Sequence, residues 1–378
     1  MLAPNAGVTP VAIPKTIPQS KISCQSFSMK TVPTRPTVIV VRQPRITRRA
    51  PIRSISQPPI GANNPSNKRL RLAADAIAGG LVVEPAPVTA AVAAALAAAE
   101  RGVPSERTVI AIDGDDLRTY HVKTPFDRDQ SAVPIVRAEV ERAVREAREE
   151  AARAAQTAIA DDPALRGVAT ARLTDDVAAL VLDGRELDSV EGYHGRALEV
   201  HTDVSVAPLV LSGAALATVA PRRRPTAVPG IYALARLVAA SGIADAGIVR
   251  VGGDVTALAM VRERRVVGTR VFGLGRDAFA AREETRDDDA RVWAEIVALP
   301  LSADNAPPPE RWLFIGVPEA LLALPNALAR IVGEARGGAA RIGPLTPSVT
   351  SRVFSDVPLG AEDLVAAGAA ALATEVYA

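Results

Sequence analysis

The feature that most constrains the fold is a run of short apolar segments interrupted by two adjacent glycines, AGIVRVGGDVTALAMVRERRVVGTRVFGLGRDAF, residues 246–279. Val- and Ile-rich stretches on either side of Gly252 and Gly253 predict strands joined by a glycine turn. The preceding segment, GIYALARLVAASGI, and the following segment around Trp293 both have helical periodicity. Strands that alternate with helices predict an α/β protein.

Composition limits how the interior can be built. Hydrophobic residues make up 48% of the chain but aromatic residues only 3%, so we expect a core of Ala, Val and Leu. The single cysteine, Cys24, excludes an intramolecular disulfide and a cysteine zinc site. The three histidines, His121, His194 and His201, are too far apart in sequence to predict a metal cluster. These features favour a reduced, cytoplasmic setting.

The first 69 residues differ in character from the rest of the chain. They hold eleven Lys or Arg, eleven prolines and no acidic residue, which leaves 33 basic against 42 acidic residues for the remainder. We interpret residues 1–69 as a mostly disordered basic arm. The arm is either a solvated tail or an electrostatic contact for anionic lipid, nucleic acid or an acidic protein segment, and a nucleic-acid partner is the least favoured of these.

Residues 106–206 predict a compact unit with one helix lying across a small sheet. ERTVIAIDGDDLRTYHV has a strand–turn–strand pattern with Asp113 and Gly114 in a hairpin turn. Residues 133–160 form the longest predicted helix, with many Glu/Arg pairs near helical spacing. Three strands are expected next, the first two separated by a turn at Asp175 and Asp176.

The last part of the chain predicts alternating strands and helices. Residues 278–301 are expected to be one amphipathic helix whose acidic run, residues 287–289, is a solvated face. RWLFIGVP predicts a strand and turn, EALLALPNALARIVGEA a helix interrupted near Pro325, and the segment around Leu364 a closing helix. The best membrane candidate, residues 204–221, contains two prolines and a glycine, and a buried strand and turn fit it better than a span.

The order of these elements resembles the bacterial actin-like proteins of the FtsA and PilM type. Residues 246–279 resemble the family's second phosphate loop, D-I-G-G-G-T-T-D, with its strand hairpin and glycine turn. WLFIGVPEALLALPNALARIVGEARGGAARIGP resembles the adenosine-contacting strand–glycine–helix, RTVIAIDGDDLRTYHV the opening of the inserted subdomain called 1C or SHS2, GYHGRALEVHTDVSVAP its exit, and DLVAAGAAALATEVYA the final helix. The resemblance extends from about residue 70 to the end.

This resemblance implies an actin-like, ribonuclease H-like fold of two lobes with an inserted SHS2/1C subdomain. The expected units are residues 1–69 (arm), 70–105 (a remnant of the first lobe), 106–206 (the SHS2/1C-like subdomain) and 207–378 (the second lobe). About forty residues separate Phe272 from Trp312, where the family inserts a subdomain 2B. The second lobe is therefore expected to be reduced.

The resemblance transfers only part of the nucleotide site. Gly252, Gly253 and Thr256 match positions of the second phosphate loop, and Gly316 matches the adenosine loop. Arg250 and Ala257 stand where the family has aspartates, and Asp254 replaces the third glycine, which adds negative charge where phosphate would bind. The nearest candidate for the first phosphate loop, PTVIVVRQPRITRR, has the strand and lacks the loop. Arg250 could contact phosphate, but a salt bridge at the end of its strand is the plainer expectation.

The leading functional hypothesis is a non-catalytic actin-like scaffold resembling FtsA. It would recruit protein partners through its 1C unit at the cytoplasmic membrane face and could self-associate. In FtsA a C-terminal amphipathic helix is the membrane anchor, and here the basic arm is expected to take that role. The alternatives are a PilM-like component of type IV pilus assembly and an active ATPase that binds ATP with Mg²⁺. We nominate no catalytic residue and no metal ligand.

Overall fold

A computed structural model of the chain describes residues 37–42, 67–71, 77–78, 81–82, 85–86, 88–90, 92–93, 107–114, 116–217, 224–279, 286–303, 307–317, 319–347 and 360–375. All belong to one unit, Pro33–Ala378, and the unit Met1–Val32 lies outside the described residues. The strands are β1 Thr37–Arg42, β2 Asn67–Arg71, β3 Ile77–Ala78, β4 Leu81–Val82, β5 Arg107–Ile112, β6 Arg118–Asp127, β7 Thr170–Leu182, β8 Arg185–Leu187, β9 Ala197–Pro208, β10 Arg224–Pro229, β11 Ala246–Val251, β12 Thr256–Arg262, β13 Arg265–Phe272, β14 Arg311–Ile315 and β15 Arg341–Pro344. The helices are α1 Arg137–Asp161, α2 Leu209–Leu216, α3 Gly230–Ala240, α4 Arg286–Ala298, α5 Ala323–Arg336 and α6 Leu364–Glu375.

The strands form two large sheets, and the predicted α/β class is confirmed. One sheet has the order β10-β5-β1-β2, with β5 and β10 parallel. The other has the order β15-β14-β11-β12-β13-β6-β9-β7-β8, with β11, β14 and β15 mutually parallel. Only two residue pairs join β13 to β6, so this second sheet consists of two halves that meet at a narrow seam.

The half of the second sheet that contains β11 is buried on both faces. Along β11, Ile248 packs in one apolar cluster and Val249 in another, on opposite faces, because successive side chains of a strand alternate. Helices α3 and α6 contribute to the first cluster, and α4 and α5 to the second. Burial on both faces explains the near-continuous apolar sequence of β11 and β14.

Helix α1 covers the other half of the second sheet, in agreement with the prediction of one helix lying across a small sheet. Its buried residues recur every four positions and so form one stripe along the helix. This stripe packs against β9. The small alanine side chains let the helix lie close to the strands. The stripe consists of Ala143, Ala147, Ala151 and Ala155.

Two predicted turns are wrong. Asp113 and Gly114 do not close a hairpin, because β5 and β6 belong to different sheets and the chain crosses from one to the other over residues 113–117. Asp175 and Asp176 do not separate two strands, because β7 runs through both of them and pairs with β9 on either side. Aspartate favours turns only where the backbone is not already held in a ladder, and here pairing with a long neighbouring strand prevails.

Two predicted helices differ from those observed. In place of one helix over 278–301, residues 276–278 form a short 3₁₀ turn, α4 occupies Arg286–Ala298, and a second 3₁₀ turn follows. Pro325 does not interrupt α5, because it lies in the first turn of that helix, where a missing N–H costs no hydrogen bond.

Most of the basic arm lies outside the described residues. Residues 37–42 and 67–71 are the antiparallel strands β1 and β2, and β1 is the strand expected in PTVIVVRQPRITRR. Among the described residues, no helix has the length and apolar character needed to span a bilayer.

Candidate functional site

The structure brings the four positions predicted from sequence together at the carboxyl ends of β11 and β14 in the second sheet. Gly252 and Gly253 follow β11, Thr256 begins β12, and Gly316 follows β14. Because β11 and β14 are parallel and adjacent, their carboxyl ends lie side by side, and ligands of open α/β sheets bind at such strand ends.

The loop of residues 252–255 is closed by its own backbone and by the segment after β13. The N–H of Gly252 donates to the carbonyl of Val255 at 2.8 Å. The N–H groups of Arg276 and Asp277 donate to the carbonyls of Gly252 and Gly253 at 2.9 and 3.0 Å. The loop is thus the inner layer of a two-layered turn, which fixes its conformation.

Gly275 makes this layering possible, and the sequence reasoning did not nominate it. A Cβ atom at this position would lie 2.1 Å from the carbonyl oxygen of Gly253. The two loops can therefore touch only if residue 275 has no side chain. The sequence signal that could have identified Gly275 is the G-L-G spacing directly after β13.

Thr256 is fully engaged within the protein. Its hydroxyl donates to the carbonyl of Leu274 at 2.7 Å and accepts from the indole N–H of Trp293 at 3.0 Å. The residue is completely buried. Thr256 therefore ties β12 to α4 and to the segment after β13, and its hydroxyl does not face a ligand site.

Gly316 is held by close packing. Its φ is +77°, a region that favours glycine, and a Cβ would lie 2.5 Å from the carbonyl oxygen of Val251. The backbone after β14 can thus lie directly on the end of β11, next to the 252–255 loop.

Two carboxylates occupy the surroundings of the loop. A Cβ on Gly253 would lie 2.7 Å from Oδ2 of Asp277, so this carboxylate sits on the open side of the glycine. Oδ2 of Asp254 is buried without a hydrogen-bond partner among the described residues. Burial raises the pKa of Asp277, Arg276 opposes the rise and Asp254 adds to it. Both carboxylates would repel a phosphate at this loop.

Arg250 forms the salt bridge that the sequence favoured. Its Nη1 atom donates to Oδ2 of Asp113, the residue that follows β5 in the other sheet. Oδ1 of Asp113 lies 2.7 Å from the place where Gly230, the first residue of α3, would carry a Cβ. This ion pair thus connects the carboxyl ends of β5 and β10 with the carboxyl ends of β11 and β14. The sequence analysis assigned Asp113 to a turn and did not identify it as a residue of this site.

The arrangement does not fit Mg²⁺ and ATP. Arg250 is paired with Asp113, and the Asp277 carboxylate lies beside Gly253 of the loop. Among the described residues, no group of three or more His, Cys, Asp or Glu side chains could hold a metal ion. The chemistry of the site is that of an internal ion pair and a closed turn.

A second polar cluster lies against the first half of α3, where sequence reasoning saw only scattered residues. Two of the three histidines, His121 on β6 and His201 on β9, lie 3.2 Å apart through Nε2 and Nδ1. His121 Nδ1 lies 2.7 Å from the fully buried carboxylate of Asp203, which also accepts the hydroxyl of Tyr232 at 3.0 Å. The cluster joins β6 and β9 to α3.

No protein-family model and no curated protein matches the chain. Among solved structures, it is similar to the PilM-PilN type IV pilus biogenesis complex, at 20% identity over 82% of this chain and 93% of that chain, with a TM-score of 0.41. It is also similar to the ethanolamine utilization protein EutJ from Carboxydothermus hydrogenoformans, at 15% identity over 43% of this chain and 57% of that one, with a TM-score of 0.25. A third similar structure, from Bacteroides thetaiotaomicron VPI-5482, is described as a protein with actin-like ATPase fold and unknown function. It has 7% identity over 60% of this chain and 64% of that one, with a TM-score of 0.30. At these identities and TM-scores the similarities support no statement about what this chain does.

Proposed function

We propose that this protein is a non-catalytic actin-like scaffold that recruits protein partners. The observation that carries the proposal is the state of the 252–255 loop, whose glycine carbonyls are bonded to Arg276 and Asp277 and whose open side holds the Asp277 carboxylate. A phosphate-binding loop offers free backbone N–H groups to an anion. Here the Gly252 N–H donates to Val255 within the loop, and the carbonyls of both glycines accept from the segment after β13.

The arrangement of the parallel strands supports the actin-like part of the proposal. In each sheet a strand pairs in parallel with a later strand, β5 with β10 and β11 with β14. A glycine comes shortly after both earlier strands, Gly114 and Gly252. Two lobes with facing strand ends are the layout expected from the resemblance, and the Asp113–Arg250 ion pair lies between them.

The proposed docking unit is the half of the second sheet covered by α1. It corresponds to the SHS2/1C-like unit at 106–206, except that β5 lies in the other sheet, so we place its start at β6. The proposed partners are components of cell division, as for FtsA, or of pilus assembly, as for PilM. The proposed setting is the cytoplasm or the inner face of the membrane, with the basic arm as the contact to anionic lipid.

Calorimetric titration with Mg-ATP tests the scaffold proposal against the active-ATPase alternative. We expect no saturable heat up to about 1 mM nucleotide, which corresponds to binding weaker than about −4 kcal/mol. Micromolar binding that disappears in Gly253→Asp, in a variant shown to be folded by circular dichroism, would overturn the proposal.

Loss of the gene in its native host tests the two biological roles separately. A division scaffold predicts filamentous cells with normal surface pili. A pilus component predicts normal division and loss of surface pili. A strain unchanged in both respects would contradict both roles, whatever the outcome of the nucleotide titration.

A further inference from the structure

A half-enclosed cavity of about 290 Å³ lies over the seam that joins the two halves of the second sheet. Tyr120 is paired with Gly268 across the seam, and Leu258 is paired with Arg270 on the next strand pair. The four residues therefore project from the same face of the sheet. We call this space the seam cavity, and it is lined by Tyr120, Leu258, Met260, Gly268, Arg270 and Pro300.

The cavity exists because the covering helices leave a gap. On one side α1 packs on Tyr120, and on the other the 3₁₀ turn after α4 supplies Pro300. Gly268 forms part of the floor and contributes no side chain. A Cβ at Gly268 would meet only the carbonyl oxygen of Thr119, at 3.8 Å, so the backbone does not require glycine there.

The cavity contains a cation that has no partner of opposite charge close to it. Among the described residues, no carboxylate lies within 4 Å of the Arg270 guanidinium. The nearby acidic groups Asp162 and Asp116 lie on Arg118, at 3.0 and 3.7 Å. Arg270 itself donates to the carbonyl of Thr269 at 2.9 Å. Burial, and after it the charge of Arg118, lowers the pKa of Arg270, which shows that its charge is poorly solvated.

The cavity also contains a hydroxyl without a partner. The Tyr120 oxygen is buried and has no hydrogen bond among the described residues. The Arg270 guanidinium carbon lies 5.8 Å from the centre of the Tyr120 ring, and both side chains line the cavity. Buried polar groups are almost always hydrogen-bonded. Among the described residues the Tyr120 hydroxyl has no acceptor and Arg270 has the Thr269 carbonyl, so an acceptor from outside the chain would add bonds to both side chains.

We propose that the seam cavity binds a small monocarboxylate whose apolar part lies against Leu258, Met260 and Pro300. A guanidinium binds a carboxylate through two parallel N–H···O bonds, and the tyrosine hydroxyl can donate a third. One cation matches one negative charge, whereas a phosphate dianion would leave a charge uncompensated in an apolar space. The cavity is slightly smaller than most small-molecule sites, which start at about 300 Å³, and this size fits a ligand of a few carbon atoms.

Calorimetry on the full chain tests the proposal with butyrate, hexanoate and benzoate, and with benzyl alcohol and inorganic phosphate as comparators. We expect saturable binding of at least one carboxylate with a Kd on the order of 1 mM or below, as for ligands of this size. Benzyl alcohol and phosphate are expected to bind at least about tenfold more weakly. No binding by any of the three carboxylates, or equal binding of phosphate, would overturn the proposal.

Three variants and one control locate the binding. Arg270→Gln is expected to abolish it, and Tyr120→Phe to weaken it about fivefold, the value of one neutral hydrogen bond. Gly268→Val fills the cavity without changing a charge and is expected to abolish binding even if Arg270→Gln fails to fold. Arg264→Gln, on the exposed turn between β12 and β13, should leave binding unchanged. Binding that survives Gly268→Val would place the ligand elsewhere and contradict the proposal.

Discussion

The imidazole of His121 lies 2.7 Å, through Nδ1, from the buried carboxylate of Asp203, 82 residues away in sequence. Nε2 of the same ring lies 3.2 Å from Nδ1 of His201, and that nitrogen accepts a hydrogen bond from Arg265 at 3.1 Å. His121 therefore links the buried Asp203 carboxylate to the second histidine and, through it, to Arg265 on β13.

Removal of the buried carboxylate should strongly destabilise the protein. Asp203→Ala leaves His121 and the Tyr232 hydroxyl without their acceptor, so we expect a loss of about 3–5 kcal/mol in the free energy of unfolding. Tyr232→Phe removes one hydrogen bond and should cost about 1–2 kcal/mol. Urea denaturation measures both changes. An effect of Asp203→Ala no larger than that of Tyr232→Phe would show that the contact with His121 adds nothing to the stabilising role of Asp203.

The pKa of His201 should make stability depend on pH. Burial, and then the positive charge of Arg265, lowers this pKa, while the hydrogen bond to Glu199 opposes the change. Because the unfolded chain binds the proton more readily, the contribution of His201 to stability is present above about pH 6.5 and is lost as the pH falls. In unfolding curves from about pH 7.5 to 5.5, His201→Gln should reduce the decline. A decline in His201→Gln as steep as in the unchanged protein would contradict this assignment.

Asp176 should have the opposite pH dependence. Burial raises its pKa to about 6, and its Oδ2 has no hydrogen-bond partner among the described residues. The folded state therefore binds the proton more tightly, so the side chain is tolerated at low pH and costs up to about 3 kcal/mol above pH 6. Asp176→Asn should raise stability at neutral pH and have little effect near pH 4. Asp175→Asn, one position along β7, should not stabilise at any pH, and a gain there would contradict the assignment to Asp176.

Gly316 should be required by packing as well as by conformation. Gly316 and Gly337 both have positive φ, but only Gly316 lacks space for a side chain. We therefore expect Gly337→Ala to cost about 1 kcal/mol and Gly316→Ala at least about 3 kcal/mol. Thermal denaturation of the two variants measures the difference. Equal losses would mean that the contact with Val251 relaxes readily.

The Arg250–Asp113 ion pair should couple the two sheets. In a double-mutant cycle with Arg250→Met and Asp113→Asn, we expect a coupling free energy of about 1–3 kcal/mol, because both side chains are largely buried. The exposed pair Arg341–Glu310, at 2.6 Å, should give less than about 0.5 kcal/mol in the same cycle. Coupling as small as that of the exposed pair would show that the bridge does not hold the sheets together.

Much of the fold could be predicted from the sequence, since each element carries its own signal. The near-continuous apolar run of β11 and the Glu/Arg pairs at helical spacing on α1 identify a strand and a helix without any knowledge of their partners. The glycines at 252, 253 and 316 mark places where the backbone must turn or come close to another segment. The sequence also identified Arg250 as the member of an ion pair.

The tertiary structure alone decided what each element pairs with. Asp113 and Gly114 have the composition of a hairpin turn, yet the chain crosses between two sheets there, because β5 finds its partners in β1 and β10. Asp176 has the composition of a turn residue, yet the β9 ladder holds it in a strand. The partners of Arg250 and His121 lie 137 and 82 residues away. Local periodicity determines which face of an element is apolar, whereas the choice of partner depends on the packing of the whole core, and the ion pair, the histidine cluster and the seam cavity all arise at those distant contacts.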